Sequence, residues 1–467
     1  MNFREELGHI SEQIWDLAEL KFNEHQSAAL LSTWLESKGF EVTRGLGGME
    51  TAFTAVYGDG GPTIGFMGEY DALSGLAQSA DSLVKEKGDG CGHGCGHHML
   101  GTAAAGAAYE LQQYLMEKGC PGRVKYIGCP AEEGGSGKAY LARAGVFDDC
   151  DVLLTWHPGV VTTVVTGSMQ ANCQAYFRFT GISSHAAASP HLGRSALDAV
   201  ELMNVGCNYM REHMEPTDRL HYAVTDTGGI SPNVVQSHAE VLYLVRSTTT
   251  QKAKTLYERV CDVARGAALM TGTSVEIVFD KACSNTLPNK VLESVLYETA
   301  KEVARPEFTK EEIAYAQGYR DTVTEAELTG DIGMGFVRQE DLKDVLAEMK
   351  QSPIYNSVAP YYYSEKAIAG SSDVGDASHV APTAQIWVAC YAVGTPGHSW
   401  QMVAQGKSSM AKKGMQYAMD VLAKSAQKLI EHPELIAAAK AEFDEKMGGQ
   451  PYQCPIPPEI QPNQNKR

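Results

Sequence analysis

Residues 63–73 read TIGFMGEYDAL, a short apolar run that ends in the acidic residues Glu69 and Asp71. A run of this kind is typical of a strand buried within a sheet, here predicted over residues 63–69. Open α/β sheets bind their ligands outside the carboxyl ends of the strands, which is where the acidic residues stand. Taken alone, an acidic pair at this place is more often a turn or a helix cap, so its meaning depends on the rest of the chain.

The alternation of helices and strands continues on both sides of this strand. The residue pattern predicts helices over 3–20, 26–38 and 100–116, and further strands over 51–57, 123–129 and 152–156. After a helix over 290–303, we expect an irregular segment to residue 369, a strand over 385–392, a helix over 404–429 and a docked or loose tail over 448–467. Strands that alternate with helices predict an α/β fold whose mostly parallel sheet has helices on both faces.

The pattern changes near Gly167. Strands are predicted over 173–180, 221–227, 240–246 and 274–279, with helices over 196–214 and 253–270. This β-α-β-β-α-β order is the split βαβ unit of ferredoxin-like domains. The sequence therefore predicts a larger domain in two parts, residues 1–169 and 284–467, with a small α+β domain inserted over residues 170–283.

Composition and charge narrow the classes of partner. The 467-residue chain has a formal net charge of −18 and no basic run, which argues against nucleic acid and anionic membranes. No apolar stretch approaches the roughly 18 residues of a membrane span, and the N-terminus has no signal-peptide core, so we expect a cytoplasmic protein. The 11 cysteines are odd in number and irregularly spaced, which argues against a disulfide framework.

The densest group of metal-binding residue types is residues 90–98, GCGHGCGHH, which contain Cys91, Cys95 and three histidines. Thiolate and imidazole are ligands of zinc and similar metals, and glycines let the backbone approach an ion closely. A flexible loop with incidental thiols is one alternative. A structural zinc knuckle is another, although adjacent ligands at this density would strain tetrahedral closure.

Three further stretches place ligand types just after predicted strands. Residues 130–135, PAEEGG, offer tandem glutamates, of which one can bind a metal while the other takes a proton from water. Residues 155–158, TWHP, and 395–400, TPGHSW, offer one histidine each. Each stretch alone is more often a loop or a packing position. Parallel strands bring their carboxyl ends to one edge, and the combined Cys, His and Glu residues are the set that a two-metal hydrolytic site requires.

In order and spacing, these motifs resemble the M20 metallopeptidase family and, within it, the amidohydrolase branch that uses a Cys-Gly-His metal motif. The resemblance spans roughly residues 10–429. It rests on GEYDAL at 68–73, GHGCGH at 92–97 with LGTA at 100–103, PAEEG at 130–134, WHP at 156–158 and GTPGHSW at 394–400. The combined set is highly specific, although no single motif is.

The resemblance implies a role for each motif residue. Cys95 would bridge two divalent metal ions, zinc or manganese, and the other ligands would be His97, Glu133, His157 and His398. Glu132 would be the general base that activates water, and Asp71 would orient a ligand histidine. Three residues near these motifs receive no role, namely Glu69, which stands where other branches have histidine, Asp373 and His379.

The inserted domain would be a lid through which the chain forms a homodimer. His185 would reach into the active site of the partner subunit, and a hydrogen-bonded loop histidine is the alternative. Asn233 and Arg246 would hold a substrate carboxylate, and for Arg246 the alternative is a surface salt bridge.

The implied function is a two-metal amidohydrolase that cleaves N-acyl amino acids, above all conjugates such as aminobenzoyl-glutamate, and releases glutamate. Alternatives within this class are amidases for indoleacetyl or acetyl conjugates or for short dipeptides. The competing class is a non-catalytic metal-binding partner subunit, against which the presence of Glu132 beside a full ligand set argues. The resemblance does not decide whether a second, non-identical subunit is required.

Overall fold

Two separate stretches of the chain build the unit that contains the central sheet. The computed structural model describes residues 2–330 and 337–463. In it, Met1–Ser168 and Thr286–Gln453 form a first compact unit, and Met169–Asn285 form a second, together with the described tail residues 454–463. The second unit therefore interrupts the first in sequence.

Strands and helices alternate along most of the chain. In chain order the strands are β1 (Glu41–Arg44), β2 (Phe53–Tyr57), β3 (Thr63–Glu69), β4 (Leu73–Ser74), β5 (Cys91–Gly92), β6 (Arg123–Cys129), β7 (Val152–Gly159), β8 (Thr163–Val164), β9 (Ser168–Met169), β10 (Ala171–Thr180), β11 (Arg219–Asp226), β12 (His238–Ser247), β13 (Ser274–Cys283), β14 (Ala367–Ile368) and β15 (Thr383–Ala389). The helices are α1 (Phe3–Leu17), α2 (His25–Ser37), α3 (His97–Lys118), α4 (Glu132–Gly135), α5 (Gly137–Arg143), α6 (Ala196–Met210), α7 (Thr250–Thr271), α8 (Lys290–Glu302), α9 (Lys310–Arg320), α10 (Glu325–Gly330), α11 (Leu342–Gln351), α12 (Val374–Ser378), α13 (Trp400–Gln405), α14 (Ser409–Glu431) and α15 (Pro433–Met447).

The first unit is organised by a seven-stranded sheet with the order β1-β2-β6-β3-β7-β15-β8. The neighbours β6, β3, β7 and β15 are parallel, whereas β1, β2 and β8 pair antiparallel at the two sides. In this register Glu69 lies opposite Cys129, and Ala389 lies opposite Gly159. The predicted α/β class is confirmed, and the carboxyl ends of the parallel strands are level along one edge.

Helix α3 brings the Cys-rich stretch to that edge. Ala103, Ala104, Ala107 and Ala108 are fully buried, because α3 packs on β3 and against α1 and α14. The contact is so close that a Cβ on Gly101 would lie 2.5 Å from the carbonyl oxygen of Glu69. The first turn of α3 therefore stands directly beside the carboxyl end of β3.

The structure corrects the sequence prediction after residue 303. The segment to residue 369 is not irregular, since α9 and α11 lie within its described part. The helix predicted over 404–429 is two helices, because Ser408 caps α14 through the Ala411 amide and Gly406 lies against the Trp15 ring. Helix α15, which begins at Pro433, was not predicted.

The second unit is a four-stranded antiparallel sheet with the order β11-β12-β10-β13, with α6 and α7 packed on it. Buried residues of both helices and of alternate strand positions form one separate core, which includes Phe177, Val200, Val241 and Val260. This is the predicted split βαβ arrangement, and it leaves β11 as an edge strand.

The described residues also bear on the expectations about disulfides and membrane-spanning segments. None of the eleven cysteines, all of which lie in the described ranges, forms a disulfide. Among the described helices, none combines the length and the apolar character that crossing a membrane requires.

Candidate metal centre and catalytic site

The Cys-rich loop turns sharply so that Cys95 and His97 face the edge of the sheet. Gly96, between them, has a φ of +78°, and a Cβ there would lie 2.4 Å from the Tyr391 hydroxyl oxygen. A residue with a side chain would be both strained and obstructed at this position. His97 is the first residue of α3, fully buried beside the carboxyl end of β3.

Five of the predicted residues form two ligand groups that share one thiol. Cys95, His97 and His157 offer ligand atoms that lie within 4.8 Å of one another, and so do Cys95, Glu133 and His398. The Cys95 Sγ lies 3.3 Å from His157 Nε2, and Glu133 Oε1 lies 3.3 Å from His398 Nε2. The structure thus brings together every residue that the sequence proposed as a metal ligand.

The chemistry of this donor set fits two cations. Thiolate, imidazole and carboxylate are the ligand types that zinc and manganese take, and three protein ligands per ion leave a position for water or substrate. Two buried atoms in these groups, His97 Nε2 and Glu133 Oε1, make no hydrogen bond of ordinary geometry, although Glu69 Oε2 lies 3.2 Å from the first and His398 Nε2 3.3 Å from the second. Buried polar atoms usually form well-aligned hydrogen bonds, so these two poorly aligned contacts fit a place at which a cation would be held.

Contacts at the Nδ1 atoms orient the rings of His97 and His157. His97 Nδ1 lies 2.8 Å from Asp71 Oδ1, and His157 Nδ1 lies 2.8 Å from the carbonyl oxygen of Pro158. These contacts hold each ring by Nδ1 and leave Nε2 as the atom that can bind a metal, as outer hydrogen bonds do for metal-binding histidines. Asp71 therefore stands where the sequence predicted an orienting carboxylate.

Asp71 also holds the second ligand group. Its other oxygen, Oδ2, accepts a hydrogen bond from the backbone N–H of Glu133 at 2.7 Å. One carboxylate thereby fixes the ring of His97 in the first group and the backbone of Glu133 in the second.

The tandem glutamates lie in a tight turn after β6. Ala131 has a φ of +61°, Gly134 of +81° and Ser136 of +56°, so the backbone enters the left-handed region three times within six residues. A Cβ at Gly137 would lie 1.9 Å from the carbonyl oxygen of Pro130, which makes glycine necessary there. This turn directs Glu133 into the second ligand group and leaves Glu132 beside the first.

Electrostatics distinguish the acidic groups of the site. Loss of hydration raises the pKa of the Glu132 carboxyl well above its usual range, and the neighbouring Glu69 and Glu133 add to this effect. Burial and Glu133 act to raise the pKa of the Cys95 thiol, but the His157 and His97 rings outweigh them and lower it to about 6. Cys95 is therefore poised as a thiolate, the form that binds metals.

The other two histidines of the Cys-rich stretch are structural. His93 Nε2 lies 3.0 Å from the carbonyl oxygen of Ile14, and His98 Nε2 lies 3.0 Å from that of Gly406. Burial lowers the pKa of both rings, that of His98 to about 4, so both are neutral. Cys91 lies in the short strand β5 and belongs to none of the ligand groups found among the described residues.

The sequence did not identify Lys138, which lies at the base of the site. Its fully buried ammonium donates to Glu69 and, at 2.6 Å, to Asp373 Oδ1, while its backbone N–H donates to Asp373 Oδ2 at 2.9 Å. Glu69 in turn places Oε2 3.2 Å from His97 Nε2 and forms a third group with His97 and Glu132. Glu69 and Asp373 thus have a shared partner, whereas His379, at the end of α12, is in none of the three groups.

The remaining predicted residues lie in the second unit. His185 pairs with Val234 in an isolated bridge, and its Nδ1 accepts the N–H of Ala187 at 3.2 Å. The carbonyl oxygen of Asn233 accepts the N–H of Ala186 at 3.0 Å, so His185 and Asn233 belong to one loop cluster. Arg246 lies near the far end of β12, paired with Asn172, eight residues along the strand from His238.

Comparison with known proteins places these features in a family. The model of "Peptidase family M20/M25/M40" matches residues 65–461. The chain is 45% identical to one of the subunits of p-aminobenzoyl-glutamate hydrolase of Escherichia coli (strain K12), over 98% of this chain and 96% of that protein. It is 32% identical to Xaa-Arg dipeptidase of Mus musculus, over 66% of this chain and 70% of that protein.

The fold is also similar to that of a solved structure. A Bacillus subtilis protein described as a dinuclear metal-binding peptidase from the M20 family has a TM-score of 0.55 at 17% identity. The match covers 92% of this chain and 99% of the other.

We expect the purified chain to bind about two divalent ions, and Cys95→Ala to lose most of them because both ligand groups depend on Sγ. The measurement is elemental analysis by mass spectrometry after reconstitution with Zn²⁺ or Mn²⁺. Cys91→Ala removes the other thiol of the same stretch and should bind as much metal as the unaltered chain. Full metal content in Cys95→Ala would contradict a bridging thiolate.

Proposed function

The chain belongs to peptidase family M20/M25/M40 and is therefore a metal-dependent hydrolase of amide or peptide bonds, and on that premise we propose that it cleaves N-acyl amino acids at a site with two divalent ions. The observation that supports this most directly is the pair of ligand groups that share Cys95, with Glu132 beside His97 of the first group. Cys95, His97 and His157 would hold one ion, and Cys95, Glu133 and His398 the other.

Two divalent ions in such a site supply Lewis acidity toward the scissile carbonyl and lower the pKa of water. Glu132 lies beside His97 and precedes Glu133 in the chain, and neither group uses it as a ligand. It takes the proton from the attacking water as the C–O bond forms. It then delivers that proton to the amide nitrogen as the C–N bond breaks, so that a carboxylic acid and a free amine leave.

The proposed substrate is an aminobenzoyl-glutamate-type conjugate, from which glutamate is released. Support comes from the 45% identity to part of a hydrolase of that name, over nearly the full length of both chains. Zinc or manganese is the proposed metal, because thiolate and imidazole favour zinc while carboxylate ligands suit manganese. The similarity to a dipeptidase keeps short dipeptides as the second candidate substrate class.

We propose that the second unit, which includes predicted lid residues 170–283, forms a homodimer. Leu202, Val205 and Tyr209 on α6 are exposed, and so are Tyr222 and Val224 on the edge strand β11. α6 packs on β12, the strand that pairs with β11, so these side chains lie on the same side of the unit. An unpaired edge strand beside an exposed apolar helix face is suited to pairing with a second copy across a two-fold axis.

Strand register separates His185 from Arg246 within one chain, so the two residues would serve different sites of a dimer. The His185 loop adjoins the His238 end of β12, and Arg246 lies eight residues away, or roughly 26 Å along a strand. One small substrate cannot contact both residues of the same chain. We propose that Arg246 acts in its own chain's site and that His185 and Asn233 act in the partner's.

Two further proposals concern partners and compartment. The relative with 45% identity is named as one subunit of its hydrolase, so we propose that a second, non-identical subunit can join the homodimer. We also propose a cytoplasmic location, where a reducing environment would keep Cys95 available as a thiolate.

Glu132→Gln should keep its metal and lose kcat by a factor of roughly 10² to 10⁴, because the amide cannot accept the proton of water. The measurement is glutamate release from aminobenzoyl-glutamate and from a dipeptide panel, with metal content determined on the same samples. Loss of metal would show that Glu132 is a ligand and that its role has been exchanged with that of Glu133. An inactive but metal-loaded unaltered chain would favour the non-catalytic partner subunit.

A mixture of His185→Ala and Glu132→Gln should recover activity that neither variant has alone. In a mixed dimer one site has both groups and the other has neither, so complete exchange restores up to about a quarter of full activity. Subunit exchange is followed by native mass spectrometry, and the double variant mixed with itself is the control. Proven exchange without recovery would place His185 in its own chain's site or outside catalysis.

Arg246→Ala should lower kcat/KM for acyl-glutamates by roughly one to two decades, since a bidentate contact to a carboxylate is lost. An analogue whose α-carboxylate is replaced by an amide should be affected much less. Arg178→Ala, which breaks a salt bridge with Glu240 on the same sheet, is the matched control and should affect both substrates equally little. An equal loss on both substrates in Arg246→Ala would assign this residue to folding.

A further inference from the structure

Residues 19–24, which precede the part of the chain matched by the family model, contact both loops that carry the site. The N–H of Ala72, next to Asp71, donates to the carbonyl oxygen of Glu19 at 2.8 Å. Lys21 Nζ donates to the carbonyl oxygen of Gly134 at 2.9 Å. Phe22 packs so closely on Gly135 that a Cβ there would lie 2.8 Å from its ring. One short segment thus touches the Asp71 loop and the turn that bears Glu132.

Glu24 makes the most buried of these contacts. Its side chain is inaccessible to solvent, and both carboxyl oxygens are used. Oε1 accepts the N–H of Ala131 at 2.8 Å, and Oε2 accepts the hydroxyl of Thr51 at 3.0 Å. The carbonyl oxygen of Thr51 in turn accepts the hydroxyl of Tyr70 at 2.6 Å. Through these bonds Glu24 is connected to Ala131, which precedes Glu132 in the chain, and to Tyr70, which precedes Asp71.

The turn needs such support because its backbone is strained. Ala131 and Ser136 are non-glycine residues with φ values of +61° and +56°. Conformations of this kind persist only where the surrounding structure holds them. Two carboxylates do so here, since Glu24 binds the N–H of Ala131 and Asp71 binds the N–H of Glu133. The two backbone N–H groups that they bind stand directly before and after Glu132 in the chain.

We propose that Glu24 is a positioning residue that holds the strained turn 131–136 in the conformation in which Glu132 can move protons. Residues 19–24 form a brace for the turn, and Glu24 is its buried contact. This proposal rests on the function proposed above for Glu132. The positioning role concerns only the conformation of the turn and does not depend on which substrate is cleaved.

The test compares Glu24→Ala with Glu24→Gln in the full-length, metal-loaded protein. Alanine removes the acceptor for Ala131, whereas glutamine keeps an oxygen at the same place. Burial raises the pKa of Glu24 to about 8, with Asp71 adding to the effect, so the neutral amide is a close substitute. Glu293→Ala is the matched control, because Glu293 is also a buried carboxylate but its hydroxyl partner, Tyr361, belongs to a different part of the first unit.

We expect Glu24→Ala to lower kcat by about 10- to 100-fold at saturating metal with little change in KM, as misplacement of a catalytic group does. Glu24→Gln should restore most of kcat, and Glu293→Ala should leave it unchanged at temperatures where the protein is folded. Hydrogen exchange supplies a readout independent of activity. The peptide that spans residues 129–137 should exchange faster in Glu24→Ala and not in the other two variants.

The outcomes separate this proposal from the function on which it rests. If the unaltered chain hydrolyses none of the substrates, the proposed function fails, and hydrogen exchange still decides whether Glu24 holds the turn. Unchanged exchange over residues 129–137 in a folded Glu24→Ala variant overturns the brace. So does an unchanged kcat, or a Glu24→Gln variant as impaired as Glu24→Ala, which would make the charge and not the hydrogen bond the important property.

Discussion

The Asp71 carboxylate is bound on one oxygen by the imidazole of His97 and on the other by the backbone N–H of Glu133. His97 belongs to one ligand group and Glu133 to the other. A single carboxylate therefore contacts both groups and keeps them close together. This arrangement depends on the level carboxyl ends of β3 and β6, which bring Asp71 and the turn after Cys129 side by side. It also depends on Gly101, since α3 could not otherwise approach Glu69 closely enough to present His97. The parallel sheet is therefore what makes the two groups neighbours.

A second constraint is the charge buried below the site. Glu69 and Asp373 are both inaccessible to solvent, and the Lys138 ammonium between them is inaccessible as well. Burial acts to lower the pKa of Lys138, but Asp373 and Glu69 raise it well above its usual range, so the lysine is charged. Removing one member of such a group leaves an uncompensated buried charge and typically costs about 3–5 kcal/mol, a large fraction of the roughly 5–15 kcal/mol by which a typical domain is stable. Because Glu69 uses one oxygen for Lys138 and directs the other toward His97, this ion group fixes the acidic side of the site.

The sequence alone was sufficient to predict elements that have a local pattern, such as an apolar run with an abrupt end. Strands β3 and β6 were predicted to the residue, because their apolar runs end abruptly at Glu69 and at Cys129-Pro130. Helix α9 was missed although the capping box of Thr309 and Glu312 is visible in the sequence, since few apolar positions follow it. The break between α13 and α14 was missed because contacts of Gly406 with Trp15 and His98, residues far away in the chain, contribute to it, although the Ser408 cap is a local signal.

The same distinction applies to the site. Cys95, His97, Glu133, His157 and His398 belong to short motifs, and the structure brings all of them together. Lys138 and Glu24 belong to no such motif, and their partners lie 69 to 235 positions away for Lys138 and up to 107 for Glu24. What they do is set by tertiary contacts, which a single sequence does not display.

These contacts bear on how an acidic protein could bind an acidic substrate. The chain has a formal net charge of −18, and the carboxylates of Glu69, Glu132 and Glu133 line the site itself. Lys138 cannot offset the charge of these carboxylates toward a ligand, because Glu69 and Asp373 within hydrogen-bond distance already neutralise its own charge.

Attraction for a substrate carboxylate must therefore come from bound metal ions or from a cation elsewhere, and Arg246 is the cation that the proposed function assigns to this role. Burial lowers the pKa of Arg246, as expected for a guanidinium partly removed from water, where a charge pair is screened less than at the surface. Under the proposed role of Arg246, metal binding and substrate choice would reside in different units of the chain, and substitutions in the inserted unit would change the substrate preference without altering the metal ligands.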